Sequence, residues 1–321
     1  TLSSSSAASD VYKRQHITLV AQMMAALHKK VFMNYCSYSD LLLDEKNWNP
    51  YVFQVMAPNT TQWTLAHVQF FTKRPEKKFY LLCQDYAYGH AYAETFKAAL
   101  KKHKPGAQIV GEDFFPLFAK DFAPYLTKIK ASGADVIVTQ AWAADNENLV
   151  KQSRQFGMKI PITSIYVDET NTLKAIGGPA GAGMVVMQSY IPAINTPLNR
   201  KFVELWNKQW GKWSKPYNTE LYKWPVGFLG SSAISQYWLF DVIKRAGTTN
   251  SEKIIKIWEG DKYQSIIGPL YMRPQDHLAL GDIFLSELVF PNKWFEQSAS
   301  WGKVVAIPQA LCTPPVINGR K

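Results

Sequence analysis

The stretch KFYLLCQDYAYGHAYAETFKAALKKHKPG, residues 78–106, sets the fold class because an apolar run leads directly into a helical pattern. Residues 79–82 are continuously apolar, as in strands that are buried on both faces of a parallel sheet. Residues 93–100 then carry apolar side chains at helical spacing, and Pro105-Gly106 breaks the pattern. The stretch therefore predicts one βα unit.

The same alternation continues as far as Met187. Strand-like apolar runs and helical patterns follow one another, the runs at 136–138, 160–165 and 184–186 and the helices at 122–129 and 149–156. Repeated βα units predict a doubly wound parallel sheet with helices on both faces and right-handed crossovers. The fold class is therefore α/β.

The chain around this repeat is less regular. A short βα piece occupies residues 20–43, and helical patterns at 198–210 and 227–246 precede a strand-like section at 265–288. The segment before Thr60 supplies too few strands to close a sheet of its own. Such a lobe either borrows from the later helices or lacks its beginning, and we expect both.

Composition indicates a globular protein with no membrane span. At 321 residues the chain is longer than most single domains, so we expect two lobes with separate cores. It contains no run of 18 apolar residues, the length that would indicate a transmembrane helix. The net charge of +11 is spread over short basic pairs, which predicts a generally basic surface and no nucleic-acid partner.

Motifs for catalysis, cofactors or metals are missing from the sequence. The glycine cluster at residues 177–183 precedes a strand, whereas a dinucleotide site needs glycines after one, so it predicts a tight helix-to-strand connection. Neither the six histidines nor the three cysteines have metal-ligand spacing. His90 alone falls near a predicted site, with a surface histidine at a helix start as the alternative. We therefore expect no enzyme, no cofactor and no metal.

The first fifteen residues, TLSSSSAASDVYKRQ, do not have the basic, apolar and small-residue order of a secretion signal. They look like foreign sequence joined to the chain. We expect residues 1–15 to be non-native and disordered, and they play no part in the fold prediction.

A set of short motifs in a fixed order carries a family resemblance. The phrase Asp85-Tyr86-Ala87-Tyr88-Gly89, which closes a strand and opens a helix, resembles the solute-binding proteins of branched-chain amino acid ABC importers. Further motifs of that family follow over about residues 17 to 315, namely Asp121-Phe122 with Leu126 and Ile129, Ala134–Ile137, Leu149–Gln152, Gly157, Ala180–Met184 and Gly268–Leu270. Each motif is weak by itself, but the ordered set is fairly specific.

The resemblance implies a two-lobed Venus-flytrap of the type I, Leu/Ile/Val-binding-protein-like class, with three interlobe crossovers and an incomplete first lobe. Lobe 1 would hold residues 16–58 and 192–262, lobe 2 residues 59–191 and 263–300, and a C-terminal tail residues 301–321. The first βα units of lobe 1 and any signal peptide would be absent. The implied function is capture of a small amino acid, amide or carboxylate in the periplasm, followed by delivery to a membrane ABC permease.

On lobe 1 the resemblance places the ligand carboxylate on a loop at Ser37, Tyr38 and Ser39. A helix N-terminus there would offer N–H donors, and the serines would add hydroxyls. The alternative is that Ser39 or Asp40 only caps its own helix. Asn59 takes the second lobe 1 position, with a polar hinge residue as the alternative.

On lobe 2 the resemblance brings Tyr88 and Trp142 against the ligand, with core packing as the alternative for both. The acidic residue that binds the ligand ammonium in many members aligns with Tyr166, while Asp168 lies two residues further on. Either Asp168 takes that role, or the ammonium meets an aromatic face, or the ligand has no ammonium. A further ligand-binding loop would fall near residues 16–18.

Two other functions fit the same patterns less well. One is a ligand-sensing receptor or regulatory domain with this fold, and the other is an α/β enzyme. Fold-level likeness alone does not decide between them.

Overall fold

A computed structural model describes residues 17–165 and 169–320. The expectation that residues 1–15 are non-native lies outside this range. The helices are α1 (residues 17–28), α2 (Thr60–Thr72), α3 (Ala87–His103), α4 (Ala123–Ser132), α5 (Ala143–Gln155), α6 (Thr170–Ile176), α7 (Gly178–Gly181), α8 (Pro197–Trp210), α9 (Gly227–Ala246), α10 (Ser251–Trp258) and α11 (Gln309–Cys312).

The strands are β1 (Phe32–Asn34), β2 (Val52–Gln54), β3 (Lys78–Gln84), β4 (Gln108–Phe115), β5 (Val136–Val138), β6 (Ile162–Ser164), β7 (Val185–Gln188), β8 (Lys262–Ser265), β9 (Gly268–Met272), β10 (Ala279–Leu280), β11 (Ile283–Val289) and β12 (Ser300–Ile307). Short 3-10 turns at Asp40–Leu43 and Glu220–Tyr222 complete the described elements.

The larger lobe is built on a seven-stranded sheet in the order β12-β11-β7-β6-β5-β3-β4. The run from β7 to β4 is parallel, and β11 is antiparallel to both its neighbours. Alternate residues of β3 pack on opposite faces, Phe79 and Leu81 in one core and Tyr80 and Leu82 in the other. Helices therefore cover both faces, as the apolar runs predict.

The smaller lobe contains the parallel pair β1–β2 and the antiparallel sheet β10-β9-β8. A bridge between Gln54 and Leu278 joins the two sheets. The ring of Phe53 stacks between those of Trp258 and His277, at centroid distances of 4.3 and 4.1 Å. This aromatic stack ties β2 to α10 and to the segment before β10.

Two boundaries of the predicted domain division are wrong. Residues 301–321 were expected to be a tail, but β12 is an edge strand of the large sheet. Residues 263–280 were expected in lobe 2, but β8 packs on α9 through the stacked rings of Tyr263 and Trp238, and β10 adjoins β2. The reason is that a chain crossing between lobes leaves no signal in local hydropathy.

The glycine cluster forms the short helix α7 between α6 and β7, which agrees with a helix-to-strand connection. Among the described helices, none has the length and apolar character needed to cross a membrane.

Candidate ligand-binding site

Ser37 lies just after β1, where Asn34 fixes its backbone. The side chain of Asn34 accepts the Ser37 N–H at 3.0 Å and donates to its carbonyl at 2.9 Å. The hydroxyl oxygen of Ser37 is 2.7 Å from that of Thr18, which lies in the first turn of α1. Both residues are buried. The Ser37 N–H is thus engaged within the protein, so the group that Ser37 can offer to an anion is its hydroxyl.

Tyr38 places a buried aromatic ring directly after Ser37 in the loop. Its ring stacks on Phe228 at 6.2 Å and meets the edge of Trp63 at 5.5 Å. Its carbonyl accepts a hydrogen bond from the Thr60 hydroxyl at 3.0 Å. Tyr38 is only 5% exposed, so the loop is anchored to the start of both α2 and α9.

Ser39 and Asp40 act as helix caps. The Ser39 hydroxyl accepts the Leu41 N–H at 3.3 Å and caps the 3-10 turn. The carboxylate of Asp40 accepts the N–H of Thr61 at 3.2 Å and its hydroxyl at 2.8 Å, at the N-terminus of α2. Burial raises the pKa of Asp40. The cap alternative therefore describes Ser39, whereas Asp40 caps α2 and not its own helix. A ligand role for Ser39 stays a prediction.

Asn59 is the N-cap of α2. Its side-chain oxygen accepts the Gln62 N–H at 2.9 Å, and its carbonyl accepts the Trp63 N–H. The residue is 1% exposed. This geometry explains the residue type without a ligand, so a contact from Asn59 also stays a prediction.

Tyr88 lies in the first turn of α3, at the carboxyl end of β3. Its ring is 6.1 Å from that of Tyr86, and its buried hydroxyl has no hydrogen-bond partner among the described residues. Burial raises its pKa, and the nearby Tyr38 and Asp40 add to that shift. Tyr88 belongs to the same buried cluster as Tyr38 of the lobe 1 loop. A ligand contact from Tyr88 stays a prediction. A Cβ on Gly89 would lie 1.9 Å from the Gln84 carbonyl oxygen, so only glycine lets α3 start this close to β3.

Trp142 follows β5 and precedes α5 as its N-cap. Its ring meets that of Phe118 edge-on at 6.3 Å. The backbone is strained on both sides of this contact, since Ala143 has a φ of 48° and Phe118 a φ of 65°. Strained non-glycine residues concentrate at functional sites.

Tyr166 and Asp168, the two positions predicted for the ammonium end, lie outside the described residues.

The chain matches the family described as periplasmic binding protein over residues 3–293. It belongs to that family. Among curated relatives, the Leu/Ile/Val-binding protein homolog 4 of Brucella melitensis is 24% identical over 216 residues, which are 66% of this chain and 49% of the relative. The chain thus spans about half the length of the curated relatives it matches.

Solved structures of periplasmic binding proteins share the fold. One is the closed form of a leucine-, isoleucine-, valine-, threonine- and alanine-binding protein from Brucella ovis, with a TM-score of 0.79 and 20% identity over 94% of this chain and 77% of that one. Another is an ABC transporter solute-binding protein from R. palustris in complex with 4-hydroxybenzoate, with a TM-score of 0.74 and 19% identity over 91% and 76%. The resemblance and the two-lobed α/β fold are confirmed.

A buried polar cluster in this periplasmic binding protein was not predicted. Gln84, Asp145 and Asn146 meet at the carboxyl ends of β3, β5 and β6, the edge where open α/β sheets bind ligands. The Asp145 carboxylate accepts the Gln84 amide at 2.6 Å and the Phe118 N–H at 3.1 Å, and burial raises its pKa. One feature of the sequence does point to this cluster, because Gln84 is a polar residue directly after an apolar strand.

Two histidines, His90 and His67, differ in how far they are buried. His90 is half exposed near the start of α3, pairs with Asp85 at 2.8 Å and stacks on Phe114, which agrees with the surface alternative. His67 was not singled out, yet it is fully buried in the larger lobe. In the described ranges, no group of three or more His, Cys, Asp or Glu side chains could hold a metal ion.

Proposed function

We propose that this periplasmic binding protein captures a small amino-acid-like or other carboxylate ligand between its lobes and delivers it to an ABC importer. The observation that carries the proposal is that Tyr38, from the lobe 1 loop, and Tyr88, from lobe 2, belong to one buried cluster. Two lobes that meet through aromatic side chains can enclose a small ligand.

The hydroxyl pair of Ser37 and Thr18 supports a carboxylate at the lobe 1 end. A serine hydroxyl can turn its hydrogen toward an anion. Thr18 lies in the first turn of α1, and a helix N-terminus carries N–H groups and a positive dipole end. Thr18 also falls where the resemblance expects a further ligand-binding loop. The proposed carboxylate contact therefore uses hydroxyls and a helix N-terminus, and it uses no Lys or Arg side chain.

Relatives of this fold support the ligand class, the location and the importer in the proposal. A neighbour of this fold binds the carboxylate 4-hydroxybenzoate, and others carry names of amino-acid transport. Members of this family are extracytoplasmic, which supports the periplasm as the location. The ligand would bind the closed arrangement of the lobes more tightly than the open one, and closure would present both lobes to the permease.

Isothermal titration calorimetry with amino acids, amides and small carboxylates is the test, and we expect at least one ligand. Ser37→Ala should then weaken binding about tenfold or more, because a hydrogen bond to a charged group contributes ~1.5–3 kcal/mol. Ser153→Ala is the matched control, since it removes a buried hydroxyl that bonds only the Val150 carbonyl within α5. A folded chain that binds none of these compounds would contradict the proposal.

A further inference from the structure

The surface formed by residues 198–224 concentrates the positive charge of the chain, and we call it the basic aromatic face. It carries six basic side chains against two acidic ones, which is +4 of the net +11. Short basic pairs elsewhere are separated along the chain. The six are Arg200, Lys201, Lys208, Lys212, Lys215 and Lys223.

One stripe of α8 exposes apolar and basic side chains together. Leu198 and Leu205 are 46% and 49% exposed. Lys201 and Lys208 are exposed at positions three or four residues from them, so all four share one helical face. Next to this stripe, Phe202 packs on the core of the protein.

Most of the cations on this face have no anionic partner. Among described residues, Lys201, Lys208, Lys212 and Lys215 make no ion pair, whereas Lys223 pairs with Glu220 at 3.5 Å. Their charge therefore remains available to an outside anion.

Tryptophans hold the segment after α8 in place. The indole N–H of Trp206 donates to the Tyr222 carbonyl at 2.8 Å, and that of Trp210 donates to the Thr219 carbonyl at 2.9 Å. Tyr217, at the tip of this segment, is 56% exposed. The lysines of the segment are thus presented on an ordered scaffold and not on a free loop.

A groove of about 340 Å³ opens on a different side of α8 from the stripe of Leu198 and Leu205, and Glu204 is part of its lining. Arg200 and Lys293 line it together with Trp224 and Trp294, whose rings meet edge-on at 4.8 Å. Basic side chains next to indole rings are typical of protein surfaces that lie in the headgroup region of a bilayer.

We propose that the basic aromatic face binds the surface of a membrane rich in anionic phospholipid. A purely acidic protein surface would pair with the lysines but would offer no apolar contact to Leu198 and Leu205, which lie between them. A bilayer accounts for both, because lysines attract anionic headgroups while leucines enter the acyl boundary. This contact is independent of ligand capture and would keep the protein on the plane in which a permease lies.

Vesicle co-sedimentation tests this contact with the whole chain. We expect binding to vesicles of an equal mixture of phosphatidylcholine and phosphatidylglycerol, weaker binding at high salt, and none to phosphatidylcholine alone. The double variant Lys201→Glu with Lys208→Glu should reduce binding about tenfold or more. Leu198→Ser with Leu205→Ser should also reduce it, and the deficit should persist at high salt.

The matched control is Lys101→Glu with Lys102→Glu, which makes the same charge change at exposed positions of α3. It should leave vesicle binding within about twofold of the unaltered chain, because these lysines lie outside the basic aromatic face. Equal loss in both lysine doubles would overturn the proposal, because net charge would then explain the binding. Binding to polyglutamate, unaffected by the leucine changes and without binding to vesicles, would instead indicate an acidic protein partner.

Discussion

At the residue scale, burial determines the protonation of His67, and the sequence does not reveal that this histidine is buried. It has no exposed surface, and its two ring nitrogens are hydrogen-bonded to the Tyr92 hydroxyl and the Thr163 hydroxyl. Burial lowers its pKa to about 3, because the charged imidazolium would lose its hydration. His67 therefore stays neutral in the folded protein across ordinary pH, as a bridge between α2 and β6.

The lowered pKa predicts a loss of stability in acid. Below its ordinary pKa of 6.5, His67 takes up a proton when the chain unfolds but not while it is folded, down to about pH 3. Its stabilising contribution is complete above pH 6.5 and is lost as the pH falls toward 3, at up to about 1.4 kcal/mol per pH unit. Urea unfolding measured between pH 7 and pH 4.5 checks this.

Two variants isolate the effect from the carboxyl groups. His67→Gln should lower the free energy of unfolding at pH 7 and flatten its dependence on pH, since the titrating group is gone. His90→Gln removes a half-exposed histidine and should leave the profile of the unaltered chain. Parallel profiles for the unaltered chain and His67→Gln would show that His67 does not titrate in this way.

At the level of elements, the sequence predicts buried strands well and edge strands poorly. The apolar runs at β3, β5 and β7 have no polar gap, because both faces of these strands are covered. The strands β4 and β12 lie at the two edges of the same sheet, and each mixes buried, half-buried and exposed residues without a regular pattern. Local hydropathy does not separate such strands from loops.

Some residues of the candidate site could also be predicted from the sequence, while others could not. Ordered motifs located Ser37, Tyr38 and Tyr88, which the structure brings to one region. The cap made by Ser39 is local and was given as an alternative, because its partner Leu41 lies two residues on. The buried carboxylate of Asp145 could not be foreseen, because its partner Gln84 lies 61 residues away along the chain. Spacing along a sequence does not fix such partners.

The edge strand β12 makes a testable contribution to stability. Trp301 is 2% exposed and packs against Trp294 and Phe295. Trp301→Ala should lower the free energy of unfolding by about 3–5 kcal/mol, as for other large buried aromatic side chains. Leu311→Ala, at a 46% exposed position of α11, should change it by less than about 0.5 kcal/mol. Equal small effects in both variants would mean that β12 adds little to the fold.

At the scale of the whole molecule, the two lobes differ in how much sheet each contains. The larger lobe has seven strands, whereas the smaller lobe combines a parallel pair with a three-stranded antiparallel sheet. The contact of Tyr38 with Trp63 of α2, and the buried cluster that contains both Tyr38 and Tyr88, bring the lobes together around aromatic side chains. Ligand binding should therefore change the relation of the lobes more than either lobe itself.

Small-angle X-ray scattering can detect that change. A ligand found by calorimetry should reduce the radius of gyration, because it binds the closed arrangement better than the open one. Tyr88→Ala should diminish the reduction and raise the dissociation constant about tenfold or more, since it removes a buried aromatic contact. Tyr237→Ala, at a 60% exposed position of α9, should preserve both. Tight binding with an unchanged radius of gyration would mean that ligand capture does not require the lobes to close.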